Sequence, residues 1–299
     1  MNNYTNAAVV AHDAGAANHI ISWLRTGLID SKSAFFCFAG PAEVIALAFF
    51  PELQNHSLDD ALNNASILIS GTGWQTELEH NARILARANN LKTVGVIDHW
   101  VNYQARFIRN NAEILPDEIW VVDDYAKKIA ETSFPTTAII KQPNDYLTFE
   151  LQTIKSFTKS RTGFTRVLFL MEPIREKWGS TTTLGEIQAF NYFIRHVNVL
   201  NLSNMELVIK PHPSDNIGKY QSLINTHRAL AIKIDDESTL AELLGWADIV
   251  VGCQTYAMAI ATAAGKTVVS TLPPQASPCV LPHQEIIHLS KLVVEHELL

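Results

Sequence analysis

The sequence is poor in cysteine, in basic charge and in long apolar runs, and each shortage removes a class of protein. Cys37, Cys253 and Cys279 are the three cysteines, far apart in 299 residues. They form no Cys-x-x-Cys pair, which argues against a disulfide framework or a structural zinc site and fits a reducing compartment. The 23 basic residues are outnumbered by 30 acidic ones, for a net charge of −7. A general nucleic-acid binder carries the opposite excess, although a local basic pocket for a phosphate is compatible with this balance. The start, MNNYTNAAVV, lacks a basic segment followed by an apolar one, so no signal peptide is expected. The longest apolar stretches, such as 44–50, are too short to span a bilayer. The expected location is cytoplasmic, with peripheral membrane association left open.

What is present is an ordinary globular composition, 47% hydrophobic and 18% charged, in a chain long enough for two domains. A chain of this length buries roughly three quarters of its unfolded surface, so its core needs no covalent staples. Short apolar runs alternate with helical patterns. AAVVA (7–11), AFFCF (34–38), SILIS (66–70), TVGVI (93–97), EIWVV (118–122) and TAIIK (137–141) read as strands. Helices are expected near 18–26, from Pro41, near 76–89 (with Leu78, Ala82, Leu85 and Ala86 on the apolar face) and between 122 and 137. The rhythm breaks over 143–165 and restarts with RVLFLM (166–171), MELVIK (205–210), ALAIKI (229–234), DIVVGC (248–253) and KTVVST (266–271). Helices are expected there near 183–199, 217–226, 239–246 and 255–264. Strands separated by helices of this length predict βαβ units and parallel sheets. The expectation is an α/β protein of two Rossmann-like domains facing a cleft, with residues 1–160 in the first and 161–299 in the second.

Ligands of open parallel sheets bind beyond the carboxyl ends of the strands, so polar residues there are the candidates. In the first half these include His12 and Asp13 in HDAGAANH, the turn SGTGWQTE (70–77), and Asp98 and His99 in DHWVNYQARF. Gly15 and its neighbouring alanines would let backbone approach a ligand closely, and the spacing is not that of a dinucleotide fingerprint. A histidine or carboxylate at such a place can act as general base toward a sugar hydroxyl. Trp74 is a candidate platform for a sugar ring, or simply a packed aromatic.

In the second half the candidates are Glu172, Arg175, Lys210, His212, Ser214, Asp215, the acidic run at 235–237, Gln254 and Thr255. KPHPSD (210–215) sets His212 between two prolines, which fix φ on both sides and aim the ring. A histidine so held, with Lys210, suits a phosphate or carboxylate. Ser214 or Asp215 is expected to cap the next helix. The start of the Ala-rich helix after Thr255 would offer free amides to a phosphate.

The order KPHPSD, DDES, ADIVVGCQTYAMAIATAAGKTVVS resembles the C-terminal half of glycosyltransferase-B fold proteins over roughly residues 166–272. It is similar to His-Pro-motif sialyl- and polysialyltransferases of capsule and lipopolysaccharide synthesis, to glycerophosphotransferases that use CDP-glycerol, and to UDP-N-acetylglucosamine 2-epimerases. The resemblance implies that His212 and the turn at Thr255 contact the nucleotide phosphate; Gln254 and Thr255 stand where paired serines are common. It implies a transferase taking a nucleotide-activated donor on the C-terminal side and a glycan acceptor on the N-terminal side, in surface polysaccharide synthesis. No cofactor and no metal are expected, since Asp235 and Asp236 are adjacent rather than spaced as Asp-x-Asp. The base would be Asp13 or Asp98, with His12 or His99 beside it. A nucleotide-sugar epimerase or hydrolase on the same fold, and a non-catalytic nucleotide or sugar binder, are the alternatives.

Overall fold

The computed structural model describes residues 3–158, 163–202, 204–227 and 230–298. The chain forms two compact units, Met1–Thr148 and Phe149–Leu299. The domain boundary expected at residues 160 and 161 lies outside the described residues.

In the first unit, β1 (Ala7–Ala11), α1 (Ala14–Thr26), β2 (Phe35–Phe38), α2 (Gly40–Phe49), α3 (Leu58–Asn63), β3 (Ile67–Ser70), α4 (Leu78–Ala88) and β4 (Lys92–Val96) lead to a two-stranded hairpin. That hairpin is β5 (Ile108–Arg109) with β6 (Ala112–Glu113), and β7 (Glu118–Val121), α5 (Asp124–Ser133) and β8 (Ala138–Lys141) follow; the boundary between the units falls within the next helix, α6 (Asp145–Phe157). The main sheet has the order β2-β1-β3-β4-β7-β8. Every pair in it is parallel. Helices cover both faces, which is why β1 is buried at every residue and reads as a continuous apolar run. Successive side chains point to opposite faces. Val9 packs with Ile20, Trp23 and Trp120 on one side, and Val10 packs with Leu68 and Ala82 on the other.

The second unit repeats the plan. It contains β9 (Thr165–Leu170), α7 (Gly185–His196), β10 (Met205–Lys210), α8 (Gln221–Thr226), β11 (Ile232–Ile234), α9 (Leu240–Trp246) and β12 (Ile249–Gly252). Then come α10 (Tyr256–Ala263), β13 (Thr267–Ser270), β14 (Ile287–His288) and α11 (Leu289–Glu297). The sheet order is β11-β10-β9-β12-β13-β14, again parallel throughout. Chain order reverses between β1 and β3 in the first sheet and between β9 and β12 in the second. A crevice forms beyond the strand ends at such a switch.

The strands expected from the sequence are all present, most within a residue of their expected ends. The run expected from residue 229 begins as a strand only at Ile232, and residue 229 itself lies outside the described residues. Helix α1 starts at Ala14 rather than near residue 18, because Asp13 leaves β1 in extended geometry and ends in the N-cap position. The short α3, the hairpin, β14 and α11 were not foreseen. No described helix is long and apolar enough to cross a membrane. The three cysteines are free thiols.

The N-terminal edge of the second sheet is pinned by a buried ion pair. Arg166, 5% exposed, donates from Nε and Nη2 to Asp248 at 3.1 and 2.9 Å, and its backbone N–H reaches the same carboxylate at 3.0 Å. Asp248→Ala leaves that guanidinium buried without its partner. A loss of about 3–5 kcal/mol in urea unfolding is expected; a change below about 1 kcal/mol would show that the pair behaves as a surface one.

Candidate functional site

In the first unit, the loops after β1, β3 and β4 meet at the switch point. Beyond β1, the His12 backbone N–H donates to Glu79 Oε1 at 2.9 Å, and the His12 ring shares a 2.8 Å hydrogen bond between Nδ1 and Asp13 Oδ1. The other Asp13 oxygen lies over Gly73, where an added Cβ would come within 2.1 Å of it. Beyond β4, Asp98 Oδ1 accepts from Arg106 Nη1 at 2.6 Å. Asp98 Oδ2 lies over Gly15, where a Cβ would come within 1.7 Å. Each carboxylate therefore sits on a glycine from a different loop.

Arg106 is 4% exposed and also donates to Thr72 Oγ1 and to the Val101 carbonyl, both at 3.2 Å. Its guanidinium underlies the Trp74 ring, 5.1 Å from the centroid. Burial alone would raise the pKa of Asp98, but the charge and hydrogen bond of Arg106 outweigh it and hold the carboxyl below its ordinary range. Burial pushes His99 down, and pushes His19, on α1, to about 4. A cavity of about 380 Å³ opens here, lined by Asp13, Gly15, Trp74, Asp98, His99 and Arg106 among others. His12 does not line it. Its Nε2 faces Gly40 at the start of α2, so the ring acts on Asp13 and not on the cavity.

In the second unit, Glu172 follows β9 and sends a single oxygen to three consecutive amides. Its Oε1 accepts from Cys253, Gln254 and Thr255 N–H at 2.8, 2.7 and 3.0 Å. The amides expected to meet a phosphate at the start of α10 thus hold this side chain instead. Burial pushes the Glu172 pKa up to about 7, against the lowering effect of the three amides. Thr255 is the N-cap of α10 without a side-chain cap bond, and Gln254 Oε1 accepts from Val280 N–H at 3.2 Å.

The KPHPSD loop follows β10. Lys210 Nζ donates to the Ser238 carbonyl at 2.6 Å, tying this loop to the one after β11. His212 Nδ1 lies 3.2 Å from the Ser214 N–H and 2.8 Å from Ser214 Oγ. An amide hydrogen directed at Nδ1 makes that nitrogen an acceptor, so the neutral ring is assigned its proton on Nε2. Burial lowers the His212 pKa, which favours this neutral form.

Ser214 and Asp215 do not cap a helix directly after the loop, as the sequence led us to expect. The Asp215 side chain is buried; it accepts from Lys219 Nζ and Tyr220 Oη at 2.6 Å each, and from His212 N–H at 3.2 Å. Those bonds curl residues 213–220 into turns, and α8 starts only at Gln221. Glu186, also fully buried, completes the cluster with Lys219 at 2.8 Å, and Arg175 approaches both carboxylates at 3.5 and 3.9 Å while staying 59% exposed. A cavity of about 510 Å³ adjoins this loop, lined by His212, Asp215, Lys219, Asp236 and Glu237 among others. Among the described residues, no three His, Cys, Asp or Glu side chains converge in a way that would hold a metal ion.

No family model matches the chain, and no curated protein does. Solved structures do. The UDP-GlcNAc 2-epimerase of Neisseria meningitidis, bound to UDP-GlcNAc, superposes with a TM-score of 0.63 at 13% identity, over 97% of this chain and 90% of that one. S. aureus MnaA with UDP gives 0.58 at 8% identity, over 89% and 79%. A putative UDP-N-acetylglucosamine 2-epimerase of Listeria monocytogenes gives 0.57 at 11% identity, over 98% and 87%. The fold is of the glycosyltransferase-B type. At such identities the likeness is one of fold.

Within this glycosyltransferase-B scaffold, sequence reasoning missed the residues that hold the loops in place. Glu79 and Arg83 sit one turn apart on α4 and look like a surface ion pair. Instead both are buried: Glu79 takes the His12 amide, and Arg83, 0% exposed, donates to the Gly71 and Arg106 carbonyls at 3.2 and 3.5 Å. Burial raises the Glu79 pKa and lowers that of Arg83 to about 10. Leu85, placed on the apolar face from its spacing, is exposed instead, while Ala82 and Ala86 are buried. Periodicity carries no sign of this, because it weighs hydrophobicity and not the backbone groups that a charged side chain will meet.

Proposed function

We propose that the chain is a glycosyltransferase that uses a nucleotide-activated sugar in surface polysaccharide synthesis. The first unit would take the glycan acceptor and the second the donor. The observation that carries this reading is the first cavity: one carboxylate locked as an ion by Arg106, a second oriented by His12, and an exposed tryptophan beside them. Asp13, with Oδ1 on His12, would accept the proton of the attacking hydroxyl through Oδ2. Asp98 is less suited to be the base, because Arg106 stabilises its charged form; it would accept a hydrogen bond from a second hydroxyl. The acceptor oxygen would form its bond to the anomeric carbon as the bond from that carbon to the phosphate oxygen breaks. His212 Nε2–H would donate to the departing phosphate, where hydrogen-bond stabilisation of developing charge contributes most. We propose further that no metal is required and that the protein works in the cytoplasm.

The likeness to UDP-GlcNAc 2-epimerases, together with two carboxylates lining one cavity, favours a second reading. A nucleotide-sugar epimerase needs one group to remove and another to return a proton on the same sugar. Product analysis with UDP- and CMP-sugars, with and without glycan acceptors, separates the two; turnover that ignores the acceptor sinks the transferase. His212→Ala is expected to weaken nucleotide binding by about 10- to 100-fold, the worth of one hydrogen bond to a charged group, with the circular dichroism unchanged. Equal affinity in calorimetry would remove His212 from the phosphate site. Asp13→Asn is expected to lower kcat by about 100-fold or more.

A further inference from the structure

We infer that the cavity of the first unit binds a neutral or amino sugar and discriminates against sugars that carry a carboxylate or phosphate. The inference rests on reading this cavity as a sugar site, and it names the class of sugar.

The charge inventory decides the matter. Three loops supply the ionic groups around the cavity. Asp98 is neutralised by Arg106 at 2.6 Å. Glu77 is paired with Arg109 at 3.6 Å, and Arg109 is further held by the Gly73 carbonyl at 2.8 Å. Among the described residues, the ionisable side chain paired with Asp13 is the His12 imidazole, at 2.8 Å. Arg106, the cation that lines the cavity, is buried under Trp74 and is engaged by Asp98, Thr72 and Val101. A ligand anion would have to draw it away from Asp98 and would lie beside Asp13, where like charges repel. A hydroxyl or an ammonium group would instead donate to Asp13 Oδ2.

The remaining surface fits the rest of a pyranose. Trp74 is 46% exposed, and with Arg106 under the ring it presents an aromatic face to the C–H groups of a sugar. Gln75 and Asn102 add amide groups to the lining, each able both to donate and to accept. The glycine contacts fix the spacing. Asp13 lies against Gly73 and Asp98 against Gly15, so neither carboxylate can shift toward those loops.

The test uses the intact chain and free sugars: N-acetylglucosamine, glucosamine, glucuronic acid and N-acetylneuraminic acid. Binding is read by saturation-transfer NMR and by the fluorescence difference between wild type and Trp74→Phe. The neutral sugar and the amino sugar are expected to bind, the amino sugar more tightly at low salt. The two acidic sugars are expected to bind about tenfold or more weakly, because their charge would lie beside the Asp13 carboxylate. Asp13→Asn should narrow that gap to about threefold or less, and Trp74→Ala should abolish binding of all four. Acidic sugars that bind as well as neutral ones, a gap that Asp13→Asn leaves unchanged, or no binding by any of the four each overturn the inference. None of these readings depends on turnover. A sugar that binds with this charge preference in a protein showing no transfer would overturn the transferase and leave the inference standing.

Discussion

Gly15→Ala is expected to dismantle the first site while leaving the sheet intact. The new methyl group would fall 1.7 Å from Asp98 Oδ2, so either the carboxylate or the start of α1 must move. The carboxylate is held at its other oxygen by Arg106, itself buried. Moving it leaves a guanidinium without its counter-ion, and the strain adds to that. Overpacking and a weakened buried pair together predict a loss of about 3 kcal/mol or more in unfolding free energy. A displacement of about 1 Å at a reacting group lowers turnover by about 100-fold. A crystal structure of the variant that retained the Asp98–Arg106 contact, with activity unchanged, would show that the glycine is not needed there.

The second large effect concerns Glu172. Its folded pKa of about 7 lies above the ordinary 4.5 of a glutamate, because burial disfavours the carboxylate more than the three amides favour it. For an acid raised in this way the folded chain holds the proton more tightly than the unfolded one. Its contribution to stability is full below the unfolded pKa and is lost as pH rises through the folded one. The span is worth about 3 kcal/mol. Glu172→Gln keeps an oxygen acceptor and removes the charge. Its stability curve should therefore meet that of wild type at about pH 4 and lie above it at about pH 8. Glu172→Ala leaves three amides without an acceptor, each worth about 1–3 kcal/mol when buried, and should destabilise at every pH. Urea unfolding at a series of pH values reads both, and parallel curves for wild type and Glu172→Gln would contradict the raised pKa.

Much of the fold was legible because parallel strands covered on both faces must be apolar along their whole length. AAVVA and RVLFLM show this directly. The polar residues just past each strand were legible too, since a parallel sheet presents only its carboxyl edge as an open crevice. Asp13, Asp98 and His212 were made candidates by that rule, His212 also by the prolines on either side of it. Elements of two residues, such as β5, β6 and β14, have no period to detect. The turn over 213–220 was misjudged for another reason: Pro-His-Pro-Ser-Asp looks like a cap sequence, but Asp215 bonds to Lys219 and Tyr220, four and five residues on, and Lys219 is held in turn by the distant Glu186, which only the fold brings there.

The sequence by itself determined that the chain alternates strand and helix, that it does so in two rounds, and that polar residues stand at the strand ends. Local pattern suffices for these, because each depends on neighbours along the chain. Only the tertiary structure decided what the polar residues do. Gly15 was expected to admit a ligand to the backbone; it admits the carboxylate of Asp98, as Gly73 does that of Asp13. The amides before α10 were expected to face a phosphate; Glu172, 81 residues from Cys253 along the chain, occupies them. A carboxylate goes wherever donors are unpaired and water is excluded, and which donors those are is settled by how distant loops close on one another.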